Sequence, residues 1–269
     1  MLKDITFGQY YSSNSVIHRA DPRMKIVLMV ALIVFIFISK NMLALGLSAL
    51  FVLAVLLISK VPLKLYLKNL KAILPILIFT AAINAFYDDG TATALFSIWK
   101  LSVTDAGVYR AVFMALRIIL LIFISSVLTY TTTPNDLTDA LEKLFSPLKF
   151  LGLKSAVHTL AMMMTIALRF IPTLVEEAEK IMNAQKARGA DFESGSLKDR
   201  AKALIPILIP LLISSVRRAY ELAEAMECRC YNGGEGKTRM KQLRLALRDY
   251  LMAFITVLFC AGIVLINLL

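Results

Sequence analysis

Residues 42–59 read MLALGLSALFVLAVLLIS, a run that contains no charged side chain and ends at Lys60. A helix needs about 20 apolar residues to cross a bilayer without tilt, so this run is just long enough to be a short span. Residues 24–39 form a similar run immediately before it. The two runs predict a pair of short spanning helices joined by a tight turn, with flanking lysines such as Lys40 reaching the interface.

The same character extends over the whole chain. Of its 269 residues, 58% are hydrophobic and only 18% are charged, and the mean hydropathy is +0.71. These values are too apolar for an ordinary soluble domain of this length. Three further apolar runs, residues 72–87, 111–130 and 250–269, are candidate spans. The sequence therefore predicts an all-α integral membrane protein with about five transmembrane helices.

The distribution of basic residues predicts how these helices are oriented in the cell membrane. Lysine and arginine are enriched before residue 26 and just after residue 59, whereas the opposite loops hold fewer of them together with acidic residues. The positive-inside rule then places the N-terminus in the cytoplasm. The net charge of +11 could also suit nucleic acid, but the basic residues alternate with apolar runs. This alternation favours a lipid bilayer as the partner and no nucleic acid.

Residues 131–249 carry eighteen of the thirty lysines and arginines and are expected on the cytoplasmic side. The prediction therefore divides the chain into an N-terminal membrane part at 1–130, a cytoplasmic coupling-helix region at 131–249 and a C-terminal transmembrane helix at 250–269. Two apolar stretches of the middle part, residues 156–168 and 203–216, are 13 and 14 residues long. Such lengths favour buried or interfacial helices over membrane spans.

Two amphipathic patterns stand out in this cytoplasmic region. One has Pro172 at a position typical of the first turn of a helix, acidic residues after it, and Gly189 as a C-terminal stop. The other carries apolar residues at helical spacing from Leu212 to Met226 and stops at Asn232. Both patterns predict long amphipathic helices that end in a small basic tip.

The two tips have the same design, with one arginine between small residues at the end of an acidic helix. Their residues are Ala187, Arg188 and Gly189 in the first tip, and Cys228, Arg229 and Cys230 in the second. Small neighbours let another surface approach closely, and a guanidinium can bind a carboxylate in a bidentate geometry. Each arginine could instead only cap its helix, because a cation is favoured there. The paired occurrence favours docking to two related partner subunits.

The paired tips resemble the two Ala-Arg-Gly coupling motifs of the T components of energy-coupling factor (ECF) transporters, a family that includes the cobalt-transport permease subunits. Residues 225–231, AMECRCY, are similar to the second motif, and residues 15–23, SVIHRADPR, are similar to the N-terminal sequence of the family. The resemblance covers nearly the whole chain. It departs from the family pattern at Cys228 and Cys230, which replace alanine and glycine and so bear on the close backbone approach that glycine permits.

The resemblance implies a non-catalytic coupling subunit of an uptake transporter. Such a subunit would join two cytoplasmic ABC ATPases to a small substrate-binding membrane protein, the S component. ATP and magnesium would bind to the ATPases, and this chain would hold no cofactor or metal. Closure of the ATPases would move the two tips together, and the coupling helices would transmit that motion to the S component. The cysteine-containing second motif resembles that of T components shared by several S components, which implies uptake of a vitamin or another micronutrient.

Three other patterns receive a simpler interpretation. Residues 233–238, GGEGKT, resemble a P-loop, but the first glycine of that motif would fall at Tyr231 and a helix, not a strand, precedes it. The cysteines of the second tip have no nearby ligands that would complete a zinc site. Arg117 lies inside an apolar run and is expected either to find a partner in the bundle, such as Asn84, or to contact the S component.

Two other functions remain as alternatives at this point. A conventional ABC permease would bind and translocate substrate through its own helices, which requires a path lined by polar or broken helices. An intramembrane enzyme would require paired acidic residues, a His/Cys constellation or a metal signature within the spans. The apolar runs offer few polar groups of either kind, so a coupling subunit is the favoured interpretation.

Overall fold

A computed structural model describes residues 9–86, 94–98, 101–146, 154–190, 192, 196–232, 243 and 245–268. Within these residues the chain forms eight α-helices and one antiparallel two-stranded hairpin. The elements in chain order are α1 (Pro22–Ile38), α2 (Met42–Ser59), α3 (Leu63–Phe86), β1 (Ala94–Ile98), β2 (Leu101–Thr104), α4 (Asp105–Thr131), α5 (Pro134–Leu144), α6 (Lys154–Ala187), α7 (Leu197–Glu227) and α8 (Leu247–Leu268). The predicted all-α membrane class is confirmed, and the hairpin is the one addition among the described elements.

The helices fall into two units. The membrane unit comprises Gln9–Thr133 and Gln242–Leu269, and therefore contains α1 to α4 and α8. The coupling unit has Pro134–Lys241 as its main part and contains α5, α6 and α7. The chain therefore leaves the membrane unit once, after α4, and returns to it once, before α8.

The apolar runs that predict spans build the core of the membrane unit. Helix α4 packs against α1, α2 and α3, and α8 packs against α1 and α2. Across the contact of α2 with α8, the rings of Phe51 and Phe259 stack with their centroids 4.1 Å apart. Tyr66 is only 1% exposed, meets the ring of Tyr130 edge to face at 5.2 Å, and lies 3.1 Å from the hydroxyl of Ser59. The buried phenol therefore has a polar partner, as a Tyr in a core requires.

The predicted tight turn between the first two helices is confirmed. Helices α1 and α2 are separated by three residues, and the side chain of Asn267 at the end of α8 binds this turn on both sides. It donates to the carbonyl of Ile38 at 3.2 Å and accepts from the amide of Lys40 at 3.2 Å. The last turn of α8 therefore satisfies backbone groups at the turn that would otherwise lack partners.

Arg117 in α4 also binds this turn, which makes Asn84 the wrong partner for it. The guanidinium donates to the carbonyl of Ser39 and lies 4.7 Å from the ring centroid of Phe113. Asn84 instead donates to the carbonyl of Thr80 on its own helix. The carbonyl of Ser39 follows the end of α1 and has no helical partner of its own, so it is the better acceptor.

In the part of the chain that the structure describes, six helices are long and apolar enough to cross a membrane, judged by length and composition: α2, α3, α4, α6, α7 and α8. Helix α1 has 17 residues and is just below that length. The expectation that residues 156–168 and 203–216 belong to buried or interfacial helices and not to spans is corrected, because they are parts of α6 and α7, which have 34 and 31 residues and reach the length and composition of a span. Pro172 is likewise inside α6 and not in its first turn. The helix continues through it despite the missing amide hydrogen bond because tertiary context overrides local propensity.

Candidate partner-docking surface

The first predicted tip closes the C-terminal end of α6 with a Schellman cap. The amide of Gly189 donates to the carbonyl of Lys186 at 3.0 Å, and the amide of Ala190 donates to the carbonyl of Gln185 at 3.0 Å. Gly189 has a φ of 87°, the left-handed conformation that this cap requires. Arg188 is the residue immediately before the left-handed position, so its side chain leaves the helix at its very end.

The second predicted tip closes α7 with the same cap. The amide of Cys230 donates to the carbonyl of Glu227 at 2.8 Å, and the amide of Tyr231 donates to the carbonyl of Met226 at 3.0 Å. Cys230 has a φ of 53°, and Arg229 immediately precedes it. The two arginines therefore occupy the same position of the same motif.

The shared cap gives a structural meaning to the Cys-for-Gly difference between the tips. Glycine adopts a positive φ without steric cost, whereas an L-residue pays about 1–2 kcal/mol for the left-handed conformation. Cys230 adopts it nevertheless, and its thiol is free and exposed. From the sequence, the expected effect of Cys230 was only that a residue larger than glycine affects how closely a partner backbone can approach. The structure adds that the backbone of the second tip keeps its shape with cysteine in place.

All residues of the two tips are exposed, including Ala187 and the second free cysteine, Cys228. Among the described residues, the side chains of Arg188 and Arg229 have no hydrogen-bond or ion-pair partner. An arginine that only capped its helix would turn its guanidinium back to the last carbonyls. Here backbone amides form the caps, so both guanidinium groups are available to another molecule.

Helices α6 and α7 are antiparallel, which places the two tips at opposite ends of the pair. The hydroxyl of Tyr231 donates to the sulfur of Met162 at 2.7 Å, so the end of α7 lies beside the first half of α6. Arg188 lies 26 residues beyond Met162 in the sequence. With a rise of 1.5 Å per residue, the tips are about 40 Å apart along α6. Two partners can therefore bind at the same time without overlapping.

A polar bridge fixes the register of the two helices between the tips. The carboxylate of Glu177 in α6 accepts hydrogen bonds from the hydroxyl of Ser214 and from the guanidinium of Arg218, the latter at 2.7 Å. All three side chains are partly buried. The sequence showed acidic residues after Pro172 but gave no sign of their partners, since the pairing joins residues about 40 positions apart.

An apolar groove of about 300 Å³ follows this bridge toward the second tip. Its walls combine one face of α6 with the facing stripe of α7, and they include Ile166, Phe170, Leu174, Ala219, Leu222, Ala223 and Met226. The predicted apolar stripe of α7 is therefore divided between two environments. Its later residues line the groove, whereas Leu212 and Val216 are 66% and 47% exposed.

The exposed apolar residues of α7 form a long face of their own. From the start of the helix to its middle they recur at intervals of one, three and four residues, which places them along one broad side. They are Leu204, Ile205, Leu208, Ile209, Leu212, Ile213, Val216 and Tyr220, each at least 47% exposed. An apolar face of this length is typical of a surface that contacts lipid or another protein.

Within the described residues, the remaining sequence patterns do not add a second site. The glycine-rich residues 233–238 lie outside the described residues. His158 lies 3.1 Å from Glu142, and His18 lies 2.7 Å from the hydroxyl of Ser15. Within the described part of the chain, no group of three or more His, Cys, Asp or Glu side chains could hold a metal ion.

The comparison with protein families shows which family the chain belongs to. The family model described as cobalt transport protein, CbiQ, matches residues 13–240, which include both tips and the whole α6–α7 pair. The chain belongs to this family. Its multi-pass helical architecture is that of a membrane transport component.

Curated relatives of this cobalt transport family member are similar over almost their whole length. A protein of Ruminiclostridium cellulolyticum is 52% identical over 99% of this chain and 98% of its own, and one of Clostridium kluyveri is 51% identical over 98% and 97%. A Bacillus subtilis protein is 42% identical over 90% and 91%. All three are named energy-coupling factor transporter transmembrane protein EcfT. The resemblance to ECF transporter T components is thereby confirmed.

Proposed function

We propose that this chain couples two cytoplasmic ABC ATPases to a membrane-embedded S component that imports a vitamin or another micronutrient. The observation that carries the proposal is the pair of equivalent, exposed arginine tips at opposite ends of one antiparallel helix pair. Each ATPase accepts one tip in a groove that offers a carboxylate to the guanidinium. A bidentate pair of this kind fixes the orientation of the tip as well as its position.

The spacing of the tips supports docking to two ATPases that move relative to each other. Between the two tips, α6 and α7 are connected by the Glu177 bridge and together line the apolar groove. A displacement of either tip therefore changes the angle at which the two helices cross. ATP and magnesium act on the ATPases, and the chain itself holds neither. The N-terminus and the coupling unit lie in the cytoplasm, in agreement with the excess of lysine and arginine there.

The exposed apolar face of α7 is the surface that we assign to the S component. A face built from Leu, Ile and Val side chains with one Tyr buries apolar area against a membrane protein and imposes few directional contacts. Few directional contacts allow different S components to bind in turn. Met163 and Met164 in the first half of α6 are also exposed and offer adaptable side chains near the end of α7.

Co-purification from the native membrane tests the proposal. Wild type is expected to carry two ATPase subunits and a small membrane protein, and the Arg188→Ala, Arg229→Ala double variant is expected to lose the ATPases. Removing one partner of a buried charge pair at an interface costs about 2–5 kcal/mol, so each single variant is expected to bind more weakly. The matched control is the Lys202→Ala, Arg217→Ala double variant, which removes two exposed cations from the same unit.

Four results would contradict the proposal. If wild type purifies without ATPases, or if the double variant keeps them, the arginines are not docking residues. Loss of the ATPases in the control variant as well would show that net charge, and not the tips, determines binding. Substrate binding by the purified chain alone would favour a conventional permease.

A further inference from the structure

Three charged side chains of the membrane unit are almost completely buried where α1 and α8 begin and α4 ends. Asp21, Lys25 and Asp249 are 6%, 8% and 1% exposed. Burying charged groups costs several kcal/mol each unless paired charges and hydrogen bonds compensate. Contacts of these residues and of Arg23 reach Thr131, Thr132 and Leu243, which lie next to the two places where the described chain passes from one unit to the other.

Asp21 and Arg23 connect the start of α1 to the segment that leads into α8. The carboxylate of Asp21 accepts from the backbone amide of Arg23 at 2.9 Å and from its guanidinium at 2.8 Å and 3.1 Å. The same guanidinium donates to the carbonyl of Leu243 at 3.0 Å. Arg23 therefore holds a residue that lies directly after the return of the chain at Gln242.

Asp249 fixes the same segment from the other side. One of its oxygens accepts from the amide of Asp21 at 3.0 Å, and the other accepts from the amide of Ala246 at 2.7 Å. Ala246 directly precedes α8, and Asp249 is the third residue of that helix, so the second bond is the backward half of a capping box. The first bond ties the beginning of α8 to the beginning of α1.

Lys25 holds the exit of the chain in the same way. Its ammonium donates to the carbonyl of Thr131 at 2.9 Å and lies 3.4 Å from the hydroxyl of Thr132. Thr131 is the last residue of α4 and Thr132 follows it, and the first segment of the membrane unit ends one residue later, at Thr133. A cation is favoured at this C-terminal end by the helix dipole and by the unpaired carbonyls.

The segment before α1 completes the enclosure of Lys25. The ammonium of Lys25 also donates to the carbonyl of His18 at 3.3 Å. The amide of Tyr11 donates to the carbonyl of Tyr130 at 2.9 Å. Burial lowers the pKa of His18, so the ring is neutral at pH 7 and can bridge Ser15 and the carbonyl of Tyr11. The end of α4 is thus enclosed by the N-terminal segment.

We propose that Asp21, Arg23, Lys25 and Asp249 form a junction clamp, which holds the end of α4, the beginning of α8 and Leu243 in place relative to the beginning of α1. With the clamp in place, a displacement that reaches one of these two helix ends is passed on to α4 or α8 and does not loosen the end itself. The transmission of ATP-driven motion rests on the proposed function. The rigidity of the two junctions does not.

Two mild variants each open one junction. Arg23→Lys keeps the charge but removes the planar group that reaches Asp21 and Leu243 together. Lys25→Met keeps most of the side-chain volume but removes the ammonium at the end of α4. The controls are Arg19→Lys and Lys68→Met, the same changes at exposed positions of the membrane unit. The apolar core of the membrane unit is untouched in all four variants, and the thermal stability of each is measured alongside wild type.

Distance measurements between spin labels test the clamp in the purified complex with its ATPases. One label is attached to a non-natural amino acid at Glu221 in α7 and the other at Val257 in α8, both exposed positions, so that the native cysteines stay in place. Distances are recorded without nucleotide and after trapping with MgATP and vanadate. The clamp variants are expected to broaden the distribution of label-to-label distances in both states, whereas the controls keep the wild-type width.

Amide exchange is a second measurement of the clamp. It is expected to become about ten-fold faster, or more, at 245–249 in Arg23→Lys and at 130–132 in Lys25→Met.

The outcomes separate the clamp from a purely structural role and from the proposed function. Wild-type widths in both clamp variants would overturn the clamp. Lower thermal stability with unchanged widths would also overturn it, because a group that only stabilises the fold does not set the freedom of the junctions. Absence of ATPases from the wild-type preparation would overturn the proposed function instead. The widths measured on the chain alone would then decide the rigidity of the junctions by themselves.

Discussion

The two units of the molecule differ in where their apolar side chains lie. The continuous core of the described chain belongs entirely to the membrane unit and extends from Ile17 to Ile263. The coupling unit contributes only three buried hydrophobic residues to the described structure, Ala140, Ala161 and Ile207. The membrane unit therefore stabilises itself, whereas the coupling unit displays apolar surface that lipid or a partner has to cover.

Helix α3 shows that the difference does not simply follow apolar composition. Its most apolar window is only 6% buried, the same share as in α6 and α7, compared with 33% in α2 and 28% in α4. Yet α3 belongs to the membrane unit and packs along α4. Burial in this chain is thus determined by a central position in the bundle, and peripheral helices of either unit keep an open face.

The largest expected effect separates a core leucine from one on an open face. Leu45 in α2 is fully buried, and Leu212 in α7 is 66% exposed. Leu45→Ala is expected to reduce the free energy of unfolding by about 2–5 kcal/mol, because it removes buried methyl groups and leaves a cavity. Leu212→Ala is expected to leave the stability unchanged and to weaken retention of the small membrane protein. Thermal unfolding in detergent and co-purification measure the two effects, and equal losses of stability would break the comparison.

A smaller effect is expected from exchanging the left-handed residues of the two tips. Gly189→Cys makes the first tip resemble the second and is expected to destabilise its cap by about 1 kcal/mol, because no other atom lies near the added side chain and only the positive φ is costly. Cys230→Gly is expected to stabilise the second cap by a similar amount. Amide exchange in the last turns of α6 and α7 measures both changes. A cap of α7 that exchanges faster in Cys230→Gly would contradict this account.

The smallest effect on stability is expected at the bridge between α6 and α7. Glu177→Gln keeps an acceptor for Ser214 but removes the charge that pairs with Arg218. Partly exposed ion pairs contribute little to stability, so the unfolding temperature is expected to stay close to wild type. Amide exchange near residues 214–218 is expected to become faster because the register of the two helices is less firmly held. Slower exchange would contradict the role of the bridge in holding the register. A large fall in unfolding temperature would show that the bridge contributes as much to the stability of the coupling unit as a buried core residue does.

The sequence predicted the elements that long apolar runs and terminal signals specify. The runs at 24–39, 42–59, 111–130 and 250–269 correspond to α1, α2, α4 and α8, because an uninterrupted apolar run can satisfy its backbone in a membrane only as a helix. The end of α6 at Gly189 was also predicted, whereas α7 ends at Glu227 and not at the predicted Asn232. The prediction failed at Pro172, where a local signal for a helix start lies inside the long helix α6, because packing against α5 and α7 overrides local propensity.

The sequence by itself determined the membrane class, the two arginine tips and the family, because these depend on composition and on short motifs. The tertiary structure decided that both arginines follow the same backbone cap, that the tips lie about 40 Å apart on an antiparallel pair, and that Asp21 meets Asp249 across 228 positions. Contacts between residues so distant in the chain depend on how helices pack. Packing is set by the shapes of many side chains together, and no local pattern records it.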